Sequence, residues 1–246
     1  MTESGAILIT GGARGLGAAL TKHFAGIGRD VVMNYRNPAL AERVSEETAG
    51  AAGHVLPVAA DVRDRTQVQA MFAKAAETFR EVTVLINCAG VNRDAAFLEL
   101  TDEDWDIVVD SHLKGTFVCS QVFVTQLGDR SGSIVNLGAA CGLQGRLNGA
   151  NFCSAKGGVF ALTKCMAREL APKIRVNCLT PSAVDTEEVR ERYALDTDEG
   201  LQKVLSGIPM GRLGAHGDVV QMVECILGAE FTTGGNFFVN GGEFMS

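Results

Sequence analysis

The chain has 246 residues, of which 46% are hydrophobic and 21% charged, and its formal net charge is −7. That much apolar material excludes a disordered chain, and the acidic balance argues against nucleic acid or an anionic membrane surface as the main partner. The seven cysteines are scattered and form no CxxC pair, which reads as free thiols in a reducing compartment with no metal site.

In chain order, Met1-Thr2-Glu3-Ser4-Gly5 shows no signal-peptide pattern and leads into an apolar run, Ala6–Thr10, expected to be the first strand. Thr10-Gly11-Gly12-Ala13-Arg14-Gly15-Leu16-Gly17 then opens a helix expected at Leu16–Gly26. Glycines there let the backbone turn tightly and approach a pyrophosphate, while the helix N-terminus adds free N–H groups and a positive dipole end. Glycines also serve ordinary sharp turns; the position between a first strand and a helix is what points to a dinucleotide. The second strand, Asp30–Asn34, runs into Tyr35-Arg36-Asn37 without the carboxylate that accepts hydrogen bonds from the ribose 2′-hydroxyl of NAD. Arg36 and Arg14 are instead suited to a 2′-phosphate, so NADP(H) is favoured over NAD(H), against the plainer reading of two surface charges.

Next come a helix at Ala39–Ala49, a strand at His54–Ala59, a helix at Arg65–Phe79 and a strand at Val82–Asn87. A long helix from about Asp102 to Gln126, a strand at Ser133–Leu137, a helix at Phe152–Leu170 and a strand at Arg175–Leu179 follow. The segment 182–210 is polar and breaks the rhythm. A lid over the C-terminal edge of the sheet fits it, against a solvated surface helix. A helix at Gly217–Leu227 and a strand at Asn236–Val239 close the pattern. Several strands are rich in Val and Ile without strict alternation, as strands buried on both faces are. The alternation of strand and helix, with no linker and no repeat, implies one domain over residues 1–246. Its fold is α/β, a Rossmann-type doubly wound, mostly parallel seven-stranded sheet with helices on both faces. No apolar run approaches the length of a membrane span, and a soluble cytoplasmic protein is expected.

Taken together, these motifs resemble the short-chain dehydrogenases/reductases along the whole chain, most of all the branch that reduces 3-oxoacyl thioesters of acyl carrier protein or coenzyme A. The residues that carry the resemblance are the glycine turn, Asp61-Val62, Asn87-Cys88-Ala89-Gly90, Ile134-Val135-Asn136, Lys156, Arg175-Val176-Asn177, Pro181 with Thr186, and Val239-Asn240-Gly241-Gly242. The resemblance implies a dinucleotide held by the turn of Gly11, Arg14, Gly15, Leu16 and Gly17, with Asp61 and Val62 facing the adenine. It also implies that Asn87, Ala89 and Gly90 line the groove, that Lys156 bonds the nicotinamide ribose, and that Val184 and Thr186, after Pro181, hold the carboxamide. Assembly as a tetramer through the two long helices and the C-terminal segment is implied too.

The resemblance breaks where the chemistry lies. The family uses a serine, a tyrosine, a lysine and usually an asparagine. Lys156 matches the lysine, but the tyrosine position is Phe152, the serine position is Ala139 and the asparagine position is His112. A positioned general acid contributes about 10²–10⁴-fold in rate, and one oxyanion donor about 10²–10³-fold. Losing both should cost roughly four orders of magnitude, though such losses are not additive. The substitutes in the sequence are His112, which titrates near neutrality, Tyr193 on the lid, and Lys156 itself, whose pKa burial would have to lower. Cys141 reads better as an inert buried thiol, and Cys153 should face elsewhere.

Four functions are compatible with this. The leading one is a catalytically silent subunit that keeps the cofactor groove, for working or vestigial binding, and pairs with an active homologue in a hetero-tetramer. The second is an active NADP-dependent ketoreductase or dehydrogenase, a homotetramer using His112 or Tyr193. The third is an engineered Ser and Tyr knockout, against which His112 and Asn148-Gly149 argue. The fourth is an NADP(H) sensor, for which there is no DNA-reading element. In the first three the substrate is an acyl thioester, met at a rim of Val91-Asn92-Arg93 and residues 183–207.

Overall fold

The computed structural model describes residues 5–245; the reading of the N-terminus falls on residues 1–4, outside that range. The strands are β1 (Ala6–Thr10), β2 (Val31–Tyr35), β3 (Val55–Ala59), β4 (Val82–Asn87), β5 (Gly132–Leu137), β6 (Ile174–Pro181) and β7 (Asn236–Val239). They form one sheet in the order β3-β2-β1-β4-β5-β6-β7, every neighbouring pair parallel. Around it lie α1 (Gly15–Gly26), α2 (Pro38–Glu47), α3 (Arg65–Phe79), α4 (Asp102–Val109), α5 (Gly115–Leu127), α6 (Cys141–Gln144), α7 (Ala150–Leu170), α8 (Glu187–Tyr193), α9 (Asp198–Leu205) and α10 (His216–Gly228). This is the doubly wound α/β fold expected.

Alternate residues of the inner strands enter opposite layers. Leu8, Val32, Leu85, Ile134 and Val176 pack with Phe72 of α3, Phe123 of α5 and Ala167 of α7. Ile7, Ile9, Val84, Val135 and Leu179 pack with Leu20 and Phe24 of α1 and Val219, Val223 and Ile226 of α10. Strands covered on both sides need apolar residues at every position, which is why the sequence shows runs instead of alternation.

Some elements differ from expectation. The long helix after residue 102 is broken into α4 and α5 by a π-helical turn, Asp110–Lys114, which carries His112. Helix α7 starts at Ala150, two residues before Phe152. The excursion at 182–210 contains two short helices, α8 and α9, each opened by a threonine, Thr186 or Thr197, whose hydroxyl accepts a backbone N–H. Helix α6 had no signal, being a single turn beside glycines.

Strand order reverses between β1 and β4, and a crevice opens there beyond the carboxyl ends of the strands. Thr10 pins its two sides together. Its hydroxyl accepts from the Cys88 and Ala89 N–H groups, both at 3.0 Å, and donates to the Ile86 carbonyl at 3.4 Å. Below, the Asn87 amide donates to Asn136 Oδ1 at 2.9 Å and Ser120 Oγ at 3.1 Å, and Asn136 donates to Thr163 Oγ1 at 2.9 Å. Asn87 therefore lies beneath the groove floor and does not line it, a correction to its expected place, because its amide is turned into this buried polar chain.

Gly11 has φ of 64°, and a side chain there would put its Cβ 2.9 Å from the Ala89 Cα. Gly17 also stands off the groove wall; a Cβ on it would overlap the Gly11 carbonyl, so its role is the close packing of α1 on the turn. Gly17→Ala should destabilise the chain by about 1–3 kcal/mol through overpacking. Gly26→Ala, where nothing lies within 4 Å, should leave stability unchanged or slightly raised, and urea unfolding of the two variants checks the contrast.

Candidate active site

A cavity of about 910 Å³ lies along the carboxyl ends of the strands. One end is bounded by Gly11, Arg14, Gly15, Leu16, Arg36, Asp61, Val62, Ala89 and Gly90, the other by Pro181, Val184, Thr186, His112, Ala139, Phe152, Lys156 and Tyr193. All the expected site residues except Asn87 and Gly17 are thus brought to one space. Val91 and Asn92 line the rim, whereas Arg93 turns toward Asp104 at 3.9 Å and Asn92's carbonyl at 3.0 Å.

The adenosine-side residues are already engaged with each other. Asp61 accepts a bidentate pair from Arg63, with the closest contact 2.7 Å, and lies 3.7 Å from Arg36. The Arg63 bonds hold the Asp61 carboxyl below its ordinary range, with burial working against them. Arg36 remains about half exposed and is free to turn to a phosphate. Asn34, near the end of β2, is buried; its side chain accepts the Gly11 N–H at 3.1 Å and donates to the Ala60 carbonyl at 3.0 Å.

At the other end, one aromatic ring is surrounded by nitrogen. The Lys156 ammonium lies 5.6 Å from the centroid of Phe152, the Arg146 guanidinium 5.3 Å, and the His112 ring meets it edge-on at 4.9 Å. Cations over a ring face are attracted by its quadrupole. Asn151 fixes where α7 presents this ring. Its amide donates to the carbonyls of Arg93 at 2.7 Å and Asp104 at 3.1 Å, and its oxygen accepts the Phe152 N–H. Lys156 is buried and donates to the Leu137 carbonyl at 2.6 Å; burial lowers its pKa.

His112 Nε2 lies 2.9 Å from the Val91 carbonyl. A carbonyl only accepts, so the proton is on Nε2 and Nδ1 carries the lone pair. Burial, and then the Lys156 cation, hold the imidazole well below its usual pKa. His112 is therefore a neutral ring whose single N–H is committed to the backbone, and its other nitrogen, buried without a hydrogen-bond partner among the described residues, can only accept a hydrogen bond. Gly90 has no side chain because a Cβ there would overlap this ring. Nor do thiols supply an acid: burial pushes Cys88 and Cys141 up to about 11. Cys153 contacts Cys141 and does not line the cavity.

The sequence reading missed a charged network across the mouth. Asp94 holds Arg146 by two bonds of 2.7 Å and lies 3.6 Å from Arg192 of α8. Glu188 of α8 accepts from Arg192 at 2.8 Å, from Arg14 at 3.2 Å and from Asn92. The spacing of Glu188 and Arg192 by four on a helix was a usable signal; nothing local marks Arg146, whose partner is 52 residues away.

Below about pH 6.5 the unfolded chain takes up a proton at His112 that the folded chain refuses. Stability should therefore fall as pH drops from about 6.5, before the lowered carboxylates Asp61 and Asp218, with ordinary values of 3.8, begin to contribute. In His112→Asn the thermal midpoint should fall less between about pH 7 and about pH 5 than in the native chain, as differential scanning fluorimetry would read.

The family model for short chain dehydrogenases matches residues 5–196. The chain is 35% identical over 250 aligned positions to the 3-oxoacyl-[acyl-carrier-protein] reductase FabG of Staphylococcus aureus, covering 100% of this chain and 99% of that one. It is 33% identical to the protein of the same name from Thermotoga maritima, with 98% of each chain covered. A crystal structure from Brucella melitensis described as a short-chain dehydrogenase/reductase, glucose/ribitol dehydrogenase, superposes with a TM-score of 0.91 at 25% identity, over 98% of this chain and 97% of that one. The geometry of the crevice and these likenesses agree, and the chain belongs to the short-chain dehydrogenase/reductase family.

Proposed function

We propose that this chain binds NADP(H) in the crevice and serves as a catalytically silent subunit of a 3-oxoacyl/3-hydroxyacyl-thioester oxidoreductase, paired with an active homologue. The observation that carries the reading is that none of the three altered positions at the reacting end offers a proton. Ala139 offers a methyl, Phe152 a ring, and His112 a lone pair.

The cofactor half of the reading is supported by the cradle itself. Gly11 and Gly17 leave no room for side chains, Arg14 and Arg36 supply cations for phosphate, and Lys156, Thr186 and Val184 line the same cavity, for the ribose and carboxamide. When bound, the group supplies hydride exchange at its nicotinamide. The chain's own residues orient it; they do not complete the proton transfer that a carbonyl needs.

Relatives named as 3-oxoacyl-[acyl-carrier-protein] reductases favour an acyl thioester as the ligand class. Exposed apolar residues favour an assembly. Phe97, Leu98, Trp105 and Phe117 lie on or just before the α4–α5 segment, and Phe231 and Met245 near the C-terminal end. Among the described residues no helix is long and apolar enough to cross a membrane, and no cluster of His, Cys, Asp or Glu could hold a metal.

Titration with NADPH, followed by its own fluorescence, should show binding. With acetoacetyl-CoA the isolated chain should oxidise NADPH far below the ordinary enzymatic range of about 1–10³ s⁻¹. Combining Ala139→Ser with Phe152→Tyr and His112→Asn should raise the rate by at least about 10²–10⁴-fold. Ordinary turnover by the native chain that is abolished in Tyr193→Phe or His112→Ala would replace this reading with the active one. Co-purification from the source cell should recover a second chain that has the Ser and Tyr.

A further inference from the structure

The phosphate turn and the lid are tied to each other directly across the crevice. Arg14 comes from the turn that opens α1, on one wall; Glu188 comes from α8, on the other. Their side chains meet at 3.2 Å, and the same arginine nitrogen reaches the Gly90 carbonyl at 3.5 Å. Glu188 is also held by Asn92 and by Arg192. Arg192 in turn lies 3.6 Å from Asp94, on the loop that carries Asn92. Helix α8 is thus fastened to the body of the molecule by carboxylate–cation and carboxylate–amide contacts, and none of its residues is fully buried.

A carboxylate on Arg14 occupies the charge that an incoming phosphate needs. An anion held by a guanidinium and a side-chain amide is a fair chemical likeness of a phosphate oxygen in the same place. Both cannot hold Arg14 at once on the same edge. The pair is exposed, with side chains 56% and 40% accessible. Exposed pairs are weak, so this one can be broken by a ligand in the ordinary affinity range.

We propose that Glu188 is an internal latch: in the cofactor-free chain its carboxylate holds Arg14 across the crevice and keeps α8 down, and the pyrophosphate of the dinucleotide must displace it. The inference rests on the reading that the crevice takes a dinucleotide, and deepens it by naming the contact that gates entry.

Glu188→Gln keeps the size and removes the charge. It should bind NADPH about two- to fivefold more tightly than the native chain at about 50 mM salt. The advantage should shrink toward unity at about 500 mM, because exposed charge pairs are screened. Relief of simple repulsion between Glu188 and bound phosphate would give the same affinities, so a second measurement separates the two. Without cofactor, amide hydrogen exchange over residues 187–193 should be faster in Glu188→Gln than in the native chain. Equal or weaker NADPH binding by the variant, or unchanged exchange, overturns the latch while leaving the cofactor reading in place. Failure of both proteins to bind NADPH overturns the two together.

Discussion

An ammonium group buried at the end of the crevice governs everything around it. Lys156 is 7% exposed, and an ion so placed loses several kcal/mol of hydration even after relaxation. What offsets that loss is the Leu137 carbonyl at 2.6 Å and the face of Phe152, 5.6 Å away. The same positive charge helps to hold His112 neutral. The Val91 carbonyl then holds the single proton of that neutral ring on Nε2. The ring at 152 is best understood in this setting. A phenyl group gives the ammonium and the Arg146 guanidinium a π face to rest on, and it does so without a hydroxyl.

Most of the fold was legible because the sheet is buried on both sides. Continuous apolar runs such as Ala6–Thr10 and Val82–Asn87 admit no other reading at that length, and their limits agree residue for residue with the strands. The glycine turn was legible because two of its glycines have no room for a side chain. What escaped was non-local. The π-helical turn at Asp110–Lys114 leaves the apolar pattern of the surrounding helices intact. It is visible only through what it does to His112, whose ring moves against Gly90. The resemblance put Asn87 in the groove; its amide is instead spent on Asn136 and Ser120, partners 49 and 33 residues away. Asp94 with Arg146 and Arg192 joins three segments that share no sequence pattern, and so nothing in the chain announced it.

The chemistry of the site follows from sorting its groups into donors and acceptors. A carbonyl being reduced gathers negative charge on oxygen, and stabilising that charge is what accelerates the step. The groups placed to meet such an oxygen here are a methyl, the π face of a ring, a histidine lone pair and thiols held near 11. None is a strong donor, since a protonated thiol donates only weakly. The cations there are Lys156, one of whose hydrogens is committed to Leu137, and Arg146, which is held by Asp94. On the proposed reading, contacts to a cofactor rest on the glycine turn, the arginines and this lysine, while the chemistry rests on other positions, so that one can be lost while the other is kept.

The charge distribution carries the same division to the mouth of the crevice. Five charged groups, Asp94, Glu188, Arg14, Arg146 and Arg192, satisfy one another there. Ion pairs at a surface add little stability, and a mouth meant only to stay closed would be better sealed by apolar packing. Weak contacts have another property: they can be exchanged for a ligand's charges at small cost. Arginines already neutralised by carboxylates keep the cavity from holding stray anions, yet yield to a ligand with several phosphates, whose contacts act together. On the proposed reading, a subunit that holds a dinucleotide without consuming it needs that selectivity at the entrance more than it needs a hydroxyl at the far end.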